Sequence, residues 1–293
     1  MSIQQLLVAT ITSGTMYALI ALGLNLVYGT TRLLNVAHGE LVMLGAFVAY
    51  FSFVLMGVSP LLSMFAAALL LAAAAWALYR GFLRKLLEKH MAVEQLEADS
   101  LLIFFGVSII VQGLAAWAFT PSAKAYTYLD TVVHLGGAVI TLNKLIATAI
   151  GLLCCVGVWL FLSWHPIGLA MRGVIDQRNA ARVVGVDIDR VQIVSLMLGF
   201  ATAALAGVLI SMGEGIAPHM GAPLLIGAFV VAIMGGLGRI GGGIVAAFVL
   251  SAVETFGVAL TSPSYRSVLL YGLFVIVLLV RPSGLFGRSI AAR

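Results

Sequence analysis

Long apolar segments, separated by short polar ones, fill most of the chain. A helix needs about 20 apolar residues to cross the hydrocarbon core of a bilayer. The segments are too long for membrane β-strands and lack their in–out alternation. They predict eight membrane-spanning helices, at about residues 3–28, 37–56, 60–80, 100–119, 141–163, 193–213, 242–260 and 266–280. A ninth segment, 222–238, ends in a glycine-rich run and either crosses the membrane or re-enters it.

The composition agrees with a lipid environment. Hydrophobic residues make up 62% of the 293 positions and charged residues 9%, with a mean hydropathy of +1.14. Soluble domains carry roughly 25% charged residues. A soluble enzyme, a disordered chain and a disulfide-stapled secreted module are therefore excluded. We predict an all-α, polytopic helical membrane protein with about 8–9 transmembrane helices, in which residues 1–293 form a single transmembrane domain.

The basic residues predict the orientation of the chain. Cytoplasmic loops of membrane proteins carry an excess of Lys and Arg. With nine spans and an external N-terminus, only Lys124, Lys144 and Arg266 fall outside, whereas thirteen fall inside: Arg32, Arg80, Arg84, Lys85, Lys89, Arg172, Arg178, Arg182, Arg190, Arg239, Arg281, Arg288 and Arg293. The C-terminus is therefore predicted to be cytoplasmic, and 222–238 to cross the membrane. No basic face with interleaved aromatics is present, so nucleic acid is not an expected partner.

The polar segments between spans differ in what they predict. Residues 171–184 favour a short cytoplasmic helix that ends at Gly185 in left-handed conformation, with Asp189 capping the next span. This helix would expose Ala180, Ala181, Val184 and Val186, a small apolar surface suited to a groove on a partner. An ordinary solvated loop is the alternative. The other polar segment, 80–99, is interpreted as a helix end whose charges snorkel to the headgroups, followed by a solvated loop.

Ionisable residues at membrane depth are functional candidates. Glu254 lies inside a predicted span, and Glu214 lies just past the end of another. Asn35, His38 and Glu40 stand where the second span begins. These side chains either line a polar path or brace a broken helix, or they sit at the interface with water and backbone partners.

One literal motif has a structural explanation. The run Gly236-Leu237-Gly238-Arg239-Ile240-Gly241 matches G-x-G-x-x-G, but no strand and soluble helix flank it as a dinucleotide site requires. Close packing of helices in lipid explains its glycines better.

Several motifs, in order along the chain, resemble the branched-chain amino acid permeases of bacterial ABC importers. They are Leu24-Asn25-Leu26-Val27-Tyr28-Gly29, the segment Leu34 to Leu41, Met43-Leu44-Gly45-Ala46, the segment Ala170 to Asp187, the glycines at 235–242 with Glu254, and the final Leu279 to Gly287. The resemblance covers nearly the whole length. Within that family the chain is similar to the shorter of two permease types.

The resemblance implies an ABC-importer permease fold in the bacterial inner membrane. It implies a second, related permease, two cytoplasmic ATPase subunits that bind ATP and Mg²⁺, and a periplasmic substrate-binding protein. This chain would hold no cofactor and would catalyse no reaction. Related small amino acids, urea or short-chain amides are alternative cargoes, and a secondary transporter or channel without ATPase partners is an alternative mechanism.

Two sets of candidate residues result. The first, within the cytoplasmic segment 165–192, would couple to the ATPase and comprises Arg172, Gln177, Ala180, Ala181, Val184, Gly185, Val186 and Asp187. The second would line the translocation path or mark helix breaks and comprises Asn35, His38, Gly39, Glu40, Glu214, Gly235, Gly236, Gly238 and Glu254.

Overall fold

A computed structural model describes residues 2–88, 92–281 and 284–286. The predicted basic residues Lys89, Arg288 and Arg293 lie outside these ranges. The helices are α1 (Ile3–Thr31), α2 (His38–Met56), α3 (Pro60–Leu78), α4 (Arg84–Glu88), α5 (Val93–Phe119), α6 (Leu142–Trp164), α7 (Pro166–Val183), α8 (Ile188–Ser211), α9 (Gly221–Gly235), α10 (Ile240–Leu260) and α11 (Arg266–Val280). A π-helix, Tyr79–Leu83, joins α3 to α4, and a 3-10 turn, Pro263–Tyr265, precedes α11.

The predicted class, an all-α polytopic membrane protein, is confirmed. Within the described ranges, eight helices are long and apolar enough to cross a membrane. Their bounds agree with the eight predicted spans to within a few residues, except where α3 continues helically to Glu88 and where α5 begins early. The prediction of a solvated loop before residue 100 is wrong for 93–99, because these residues form the first two turns of α5.

Helix α1 is the centre of the bundle. Every residue from Tyr17 to Thr31 is buried, and α6, α8, α9 and α10 all pack against this helix. Small residues permit the closest approaches, as is usual for helices in lipid. A side chain at Gly199 of α8, for example, would meet the backbone of Gly23 of α1 at 2.9 Å.

The termini of α1 lie at two different ends of the molecule. At its start, Ser2 Oγ donates to the carbonyl of Gly137, in the turn between the antiparallel strands β1 (Val132–Leu135) and β2 (Ala138–Thr141). We call this the hairpin end; the hairpin itself was not predicted. At the other end of α1, Gly29 packs against Ile175 of α7 and against Gly238. We call this the α7 end.

The segment from Ile216 to Gly238, which contains the short helix α9, connects the two ends. The 15 residues of α9 extend about 22 Å, less than the roughly 30 Å of a bilayer core. The segment before it pairs at the hairpin end through the Lys124–Ile216 bridge, and Gly238 after it lies at the α7 end. The buried, irregular residues around Ile216 cover the remaining distance. The prediction that this segment crosses rather than re-enters agrees with this path.

Candidate functional site

The chain breaks between α1 and α2 deep inside the bundle. His38, the first residue of α2, has Nε2 3.2 Å from the carbonyl oxygen of Ile20. Ile20 precedes the last residue of α1 by eleven positions, or about 16 Å of helix. The connection 32–37 therefore folds back to about the middle of the helix bundle. Irregular backbone is tolerated at that depth only where protein or a water-filled cavity covers it.

Two helix N-termini and a carboxylate meet at this break. A side chain at Gly39, in the first turn of α2, would meet the backbone of Gly221 at the start of α9 at 2.8 Å. Glu40 is 3% exposed, and its Oε1 accepts a hydrogen bond of 3.0 Å from Ser108 of α5. A carboxylate is favourable beside helix N-termini, whose free N–H groups carry partial positive charge. The predicted residues His38, Gly39 and Glu40 are thus brought together.

Several buried polar atoms in this region have no hydrogen-bond partner among the described residues. They are Glu40 Oε2, His38 Nδ1, Asn25 Nδ2 and both side-chain atoms of Asn35. An unpaired polar atom in a low-dielectric interior costs about 1–3 kcal/mol. Such atoms gather where water or a passing ligand supplies the missing partner. The break is therefore a candidate path for a polar ligand.

The predicted helix break at the glycine run is also present. Gly236 and Gly238 have φ of +90° and +79°, a conformation that favours glycine. The N–H of Gly238 donates to Asn25 Oδ1 at 3.0 Å, so the break after α9 is attached to α1. A side chain at Gly235 would meet the backbone of Gly242 at 2.5 Å. Helix packing therefore accounts for this run, and Asn25 is a site residue that sequence reasoning missed.

Glu254 lies inside the bundle and not against lipid. It is 5% exposed and accepts a 3.1 Å hydrogen bond from the hydroxyl of Tyr17 in α1. The guanidinium of Arg266, the first residue of α11, pairs with the other carboxylate oxygen. Glu254 thus ties α10 to both α1 and α11. Glu214, by contrast, is exposed in the turn after α8 at the hairpin end and does not join the other path candidates.

The predicted coupling segment forms α7 and its connection to α8. Pro166 opens the helix, and Gln177 interrupts it with φ −153° and ψ 95°. Gly185 follows the helix with φ +86°, as predicted. The N–H groups of Val186 and Gly185 donate to the carbonyls of Ala181 and Arg182, which is a Schellman motif. The residue that caps α8 is Asp187 and not the predicted Asp189, because Asp187 Oδ1 accepts from the N–H of Arg190.

Exposure along α7 corrects the predicted apolar surface. Ala181 is buried, 6% exposed, against Met171, Val174 and Val191 of the chain's own core. Val186 is half-buried against the same cluster. The exposed apolar side chains are Val184, at 79%, and Val183, at 86%, next to exposed Ala180. The surface available to a partner is therefore the end of the helix, which we call the valine tip (Ala180, Val183 and Val184).

Polar contacts join the start of α8 to the π-helix and α4 that follow α3. The hydroxyl of Tyr79, in the π-helix, donates toward Asp189 Oδ1 at 3.2 Å and Gln192 Oε1 at 3.1 Å. Arg84 pairs with Asp189 at 3.2 Å. Gln192 Nε2 also reaches the carbonyl of Thr30 in α1. Sequence reasoning missed Tyr79 and Gln192, since a lone tyrosine or glutamine at a span end carries no distinguishing pattern.

A groove of about 530 Å³ lies at the α7 end, between α6, α7 and the start of α10. Arg172 and Asp176 line it from α7, and Arg239 lines it from the glycine run. Arg172 thus faces this groove and not the valine tip. On the same helix, burial and neighbouring Arg182 lower the pKa of the Arg178 guanidinium from its ordinary value.

These features define a multi-pass helical membrane protein with a buried polar break at mid-depth and an exposed helix tip at one end. The chain belongs to the family described as branched-chain amino acid transport system, permease component, whose model matches residues 6–278. The resemblance found in the sequence is therefore confirmed.

Named relatives cover almost the whole chain. The high-affinity branched-chain amino acid transport system permease protein BraD of Pseudomonas aeruginosa is 29% identical over 293 residues, covering 97% of this chain and 95% of that one. The permease protein LivH of Escherichia coli K12 is 28% identical over 287 residues, covering 95% and 93%.

One solved structure has a similar fold. PsaBC from Streptococcus pneumoniae in complex with Fab aligns with a TM-score of 0.51 at 12% sequence identity, covering 95% of this chain and 92% of that one. At this identity the likeness concerns the fold alone.

Proposed function

We propose that this chain is the membrane-spanning permease subunit of an ATP-driven importer and that it moves branched-chain amino acids across the bacterial inner membrane. The observation that carries the proposal is the family match over residues 6–278. The relatives named for branched-chain amino acid transport span nearly the full chain. The proposal assigns ATP and Mg²⁺ to two separate ATPase subunits and completes the assembly with a second permease and a periplasmic binding protein.

The valine tip is the proposed contact with an ATPase subunit. Two valines that are more than three-quarters exposed end a helix whose other side is packed on the core. The Schellman motif fixes the direction in which this tip points. Through Tyr79, Asp189 and Gln192, a push on the tip would reach α3 and α1. Closure of the ATPases would then rock the helices as packed units between two arrangements.

The break at mid-depth is the proposed translocation path. Asn35, His38 and Glu40 supply polar atoms that lack partners among the described residues. Paired helix N-termini and unwound backbone at the membrane midplane are how many transporters contact their cargo. A self-sufficient secondary transporter would also use such a break, but it would need no ATPase partner.

One experiment tests the function directly. The chain is expressed with its neighbouring transporter subunits, purified through a tag on this chain, and reconstituted in liposomes with the binding protein. We expect ATPase subunits to copurify and internal ATP to drive uptake of leucine, isoleucine and valine. Uptake of leucine that needs no ATP would favour the secondary transporter, and ATP-driven uptake of urea without leucine would replace the cargo.

The proposed orientation places the hairpin end outside and the α7 end inside. Single cysteines at Ser122 and Ser264 are expected to react with a membrane-impermeant thiol reagent added to intact spheroplasts. A cysteine at Asn179, on α7, is expected to react only after the membrane is opened. Labelling of position 179 from outside would contradict the orientation. The excess of Lys and Arg on the cytoplasmic side also predicts that residues 288–293 do not react with the reagent added outside. These residues lie outside the described ranges.

Replacing Val184 with glutamate is expected to uncouple ATP hydrolysis from uptake. The carboxylate would be buried without a partner in an apolar docking groove. We expect leucine uptake to fall at least about tenfold, while expression and ATPase copurification fall less. Asn179→Glu is the matched control, because it adds the same charge at an exposed polar position of α7. Equal uptake by the two variants would remove the valine tip from the coupling mechanism.

A further inference from the structure

A second groove, at the hairpin end, has no role in the function described so far. It lies between α1, α6, α8 and β2 and encloses about 300 Å³. We call it the outer groove. Its apolar wall includes Val8 and Met16 of α1, Ala147 of α6 and Leu209 of α8, and Gln5, Thr12, Ser13 and Thr141 add polar groups to the lining. Lys144 and Glu214 line the same groove.

We propose that the outer groove binds one zwitterionic aliphatic amino acid, with its carboxylate at Lys144, its ammonium at Glu214 and its side chain against the apolar wall. The inference rests on the proposed function and adds to it a binding site within this one chain. The site lies apart from the break at mid-depth, on the side that faces the binding protein in the proposed orientation.

The two exposed charges line one groove without forming an ion pair with each other. In the described part of the chain, the Lys144 ammonium and the Glu214 carboxylate have no ion-pair partner within 4.0 Å. They nevertheless line the same groove. A free amino acid carries both complementary charges on adjacent groups, so one molecule satisfies both residues. Charge-assisted hydrogen bonds of this kind are the stronger class.

The groups around the charges are held in place. The stem of Lys144 lies against Gly213, where an added side chain would meet its Cε at 3.1 Å. The turn bearing Glu214 is closed by its N–H bond to the carbonyl of Ile210 and is fixed beyond by the Lys124–Ile216 bridge. A preformed site spends less free energy on ordering when it binds.

The hairpin forms one edge of the groove and is attached to α1. The Gln5 side chain both accepts from the N–H of Val139, at 2.7 Å, and donates to its carbonyl, at 3.0 Å. Thr12 also lines the groove, and its hydroxyl lies 3.2 Å from that of Thr148, which links α1 to α6. These polar groups are satisfied by protein, which leaves Lys144 and Glu214 as the charges available to a ligand.

The size and lining fit the proposed ligand class. A volume of about 300 Å³ is at the lower end of the range for small-molecule sites. A pocket of this kind needs a mainly apolar wall and a few polar groups that set the orientation. A branched aliphatic side chain gains from the wall, whereas urea would leave most of it empty.

The test measures binding to the assembled transporter without the binding protein. Probes are L-leucine, 3-methylbutylamine, which lacks the carboxylate, and 4-methylpentanoate, which lacks the ammonium. Lys144→Met is expected to weaken leucine and 4-methylpentanoate binding roughly tenfold while leaving the amine unchanged. Glu214→Gln is expected to weaken leucine and the amine and spare the acid. Lys85→Met, on α4, and Asp130→Asn, in the loop before β1, remove equivalent exposed charges outside the groove as controls.

A protection measurement locates the ligand. A cysteine at Ser13, which lines the groove, is labelled with an impermeant thiol reagent, and leucine is expected to slow the reaction at least about threefold. The result should be the same in vesicles of phosphatidylcholine and of phosphatidylethanolamine. If labelling at position 13 is slower in phosphatidylethanolamine vesicles but is not slowed by leucine, the groove binds lipid and the proposal is overturned.

The outcomes separate this inference from the proposed function. ATP-driven leucine uptake with no leucine binding at the outer groove, or with binding that both variants retain, overturns the groove alone. If the wild-type assembly shows no ATP-driven uptake of any branched-chain amino acid, the proposed function itself is contradicted.

Discussion

Replacing Glu254 with leucine is expected to loosen α11 from the bundle and to reduce the yield of assembled transporter. The substitution leaves the hydroxyl of Tyr17 buried without its acceptor and Arg266 without its carboxylate. Removing one partner of a fully buried ion pair costs about 3–5 kcal/mol. The Arg266 side chain is 62% exposed, so a cost on the order of 2 kcal/mol is expected here. Thermal unfolding of the detergent-purified assembly measures it.

Two further variants make the expectation specific. Glu254→Gln keeps an acceptor for Tyr17 and is expected to unfold close to wild type. Tyr17→Phe removes the stranded hydroxyl, so the double variant Tyr17→Phe with Glu254→Leu should recover part of the loss. If Glu254→Leu alone unfolds like wild type and supports normal uptake, the carboxylate has no role in holding α1, α10 and α11 together.

Replacing Gly207 with leucine is expected to separate α2 from α8. A methyl group at this position would meet the backbone of Val42 at 2.8 Å and of Ala46 at 2.9 Å. Backbone cannot move aside as a flexible side chain can, so a destabilisation on the order of 3 kcal/mol is expected. The measured signs are a lower unfolding temperature and loss of the folded, monodisperse assembly in detergent.

A glycine on a different helix supplies the control. Gly157 of α6 is exposed, and an added methyl would meet no heavy atom within 4 Å. Gly157→Leu makes the same chemical change and is expected to alter stability by less than about 0.5 kcal/mol. Equal losses from the two substitutions would mean that leucine at a glycine of a span is harmful in itself and that the α2–α8 contact is not tight.

Much of the fold could be predicted because lipid imposes a simple rule on sequence. Each span has to be apolar over about 20 residues. The charged residues on either side of an apolar segment therefore indicate its limits. The same rule produced the error at 93–99. Glu94, Glu97 and Asp99 indicated a loop, yet α5 continues as a helix beyond its apolar part, and Glu97 accepts a 2.7 Å bond from Tyr28. Charge marks where the hydrocarbon stops and not where a helix ends.

The site was predictable where local backbone chemistry decides it. A glycine directly after a helical segment predicts a left-handed backbone at that position, and Gly185 has φ +86°. Ala181 was placed on the wrong face, although Met171, Val174 and Ala181 follow a helical spacing of buried positions that contained the signal. The meeting of α2 with α9 at Gly39 and Gly221 had no such signal, because it joins residues 182 positions apart.

The central position of α1 has a consequence for how the protein is made. The backbone carbonyl of Thr10 accepts a hydrogen bond from Ser251, 241 residues later, and the hydroxyl of Thr30 donates one to Ser195, 165 residues later. At about 5–20 residues per second of synthesis, α1 leaves the ribosome on the order of ten seconds or more before those partners exist. During that interval its threonines and Asn25 face lipid or the insertion machinery. The hydroxyls of Thr15, Thr30 and Thr31 already bond to carbonyls of α1 itself, so they need no later helix. Asn25 differs, because its partner Gly238 is made 213 residues later, and its amide therefore stays unpaired while the later spans insert.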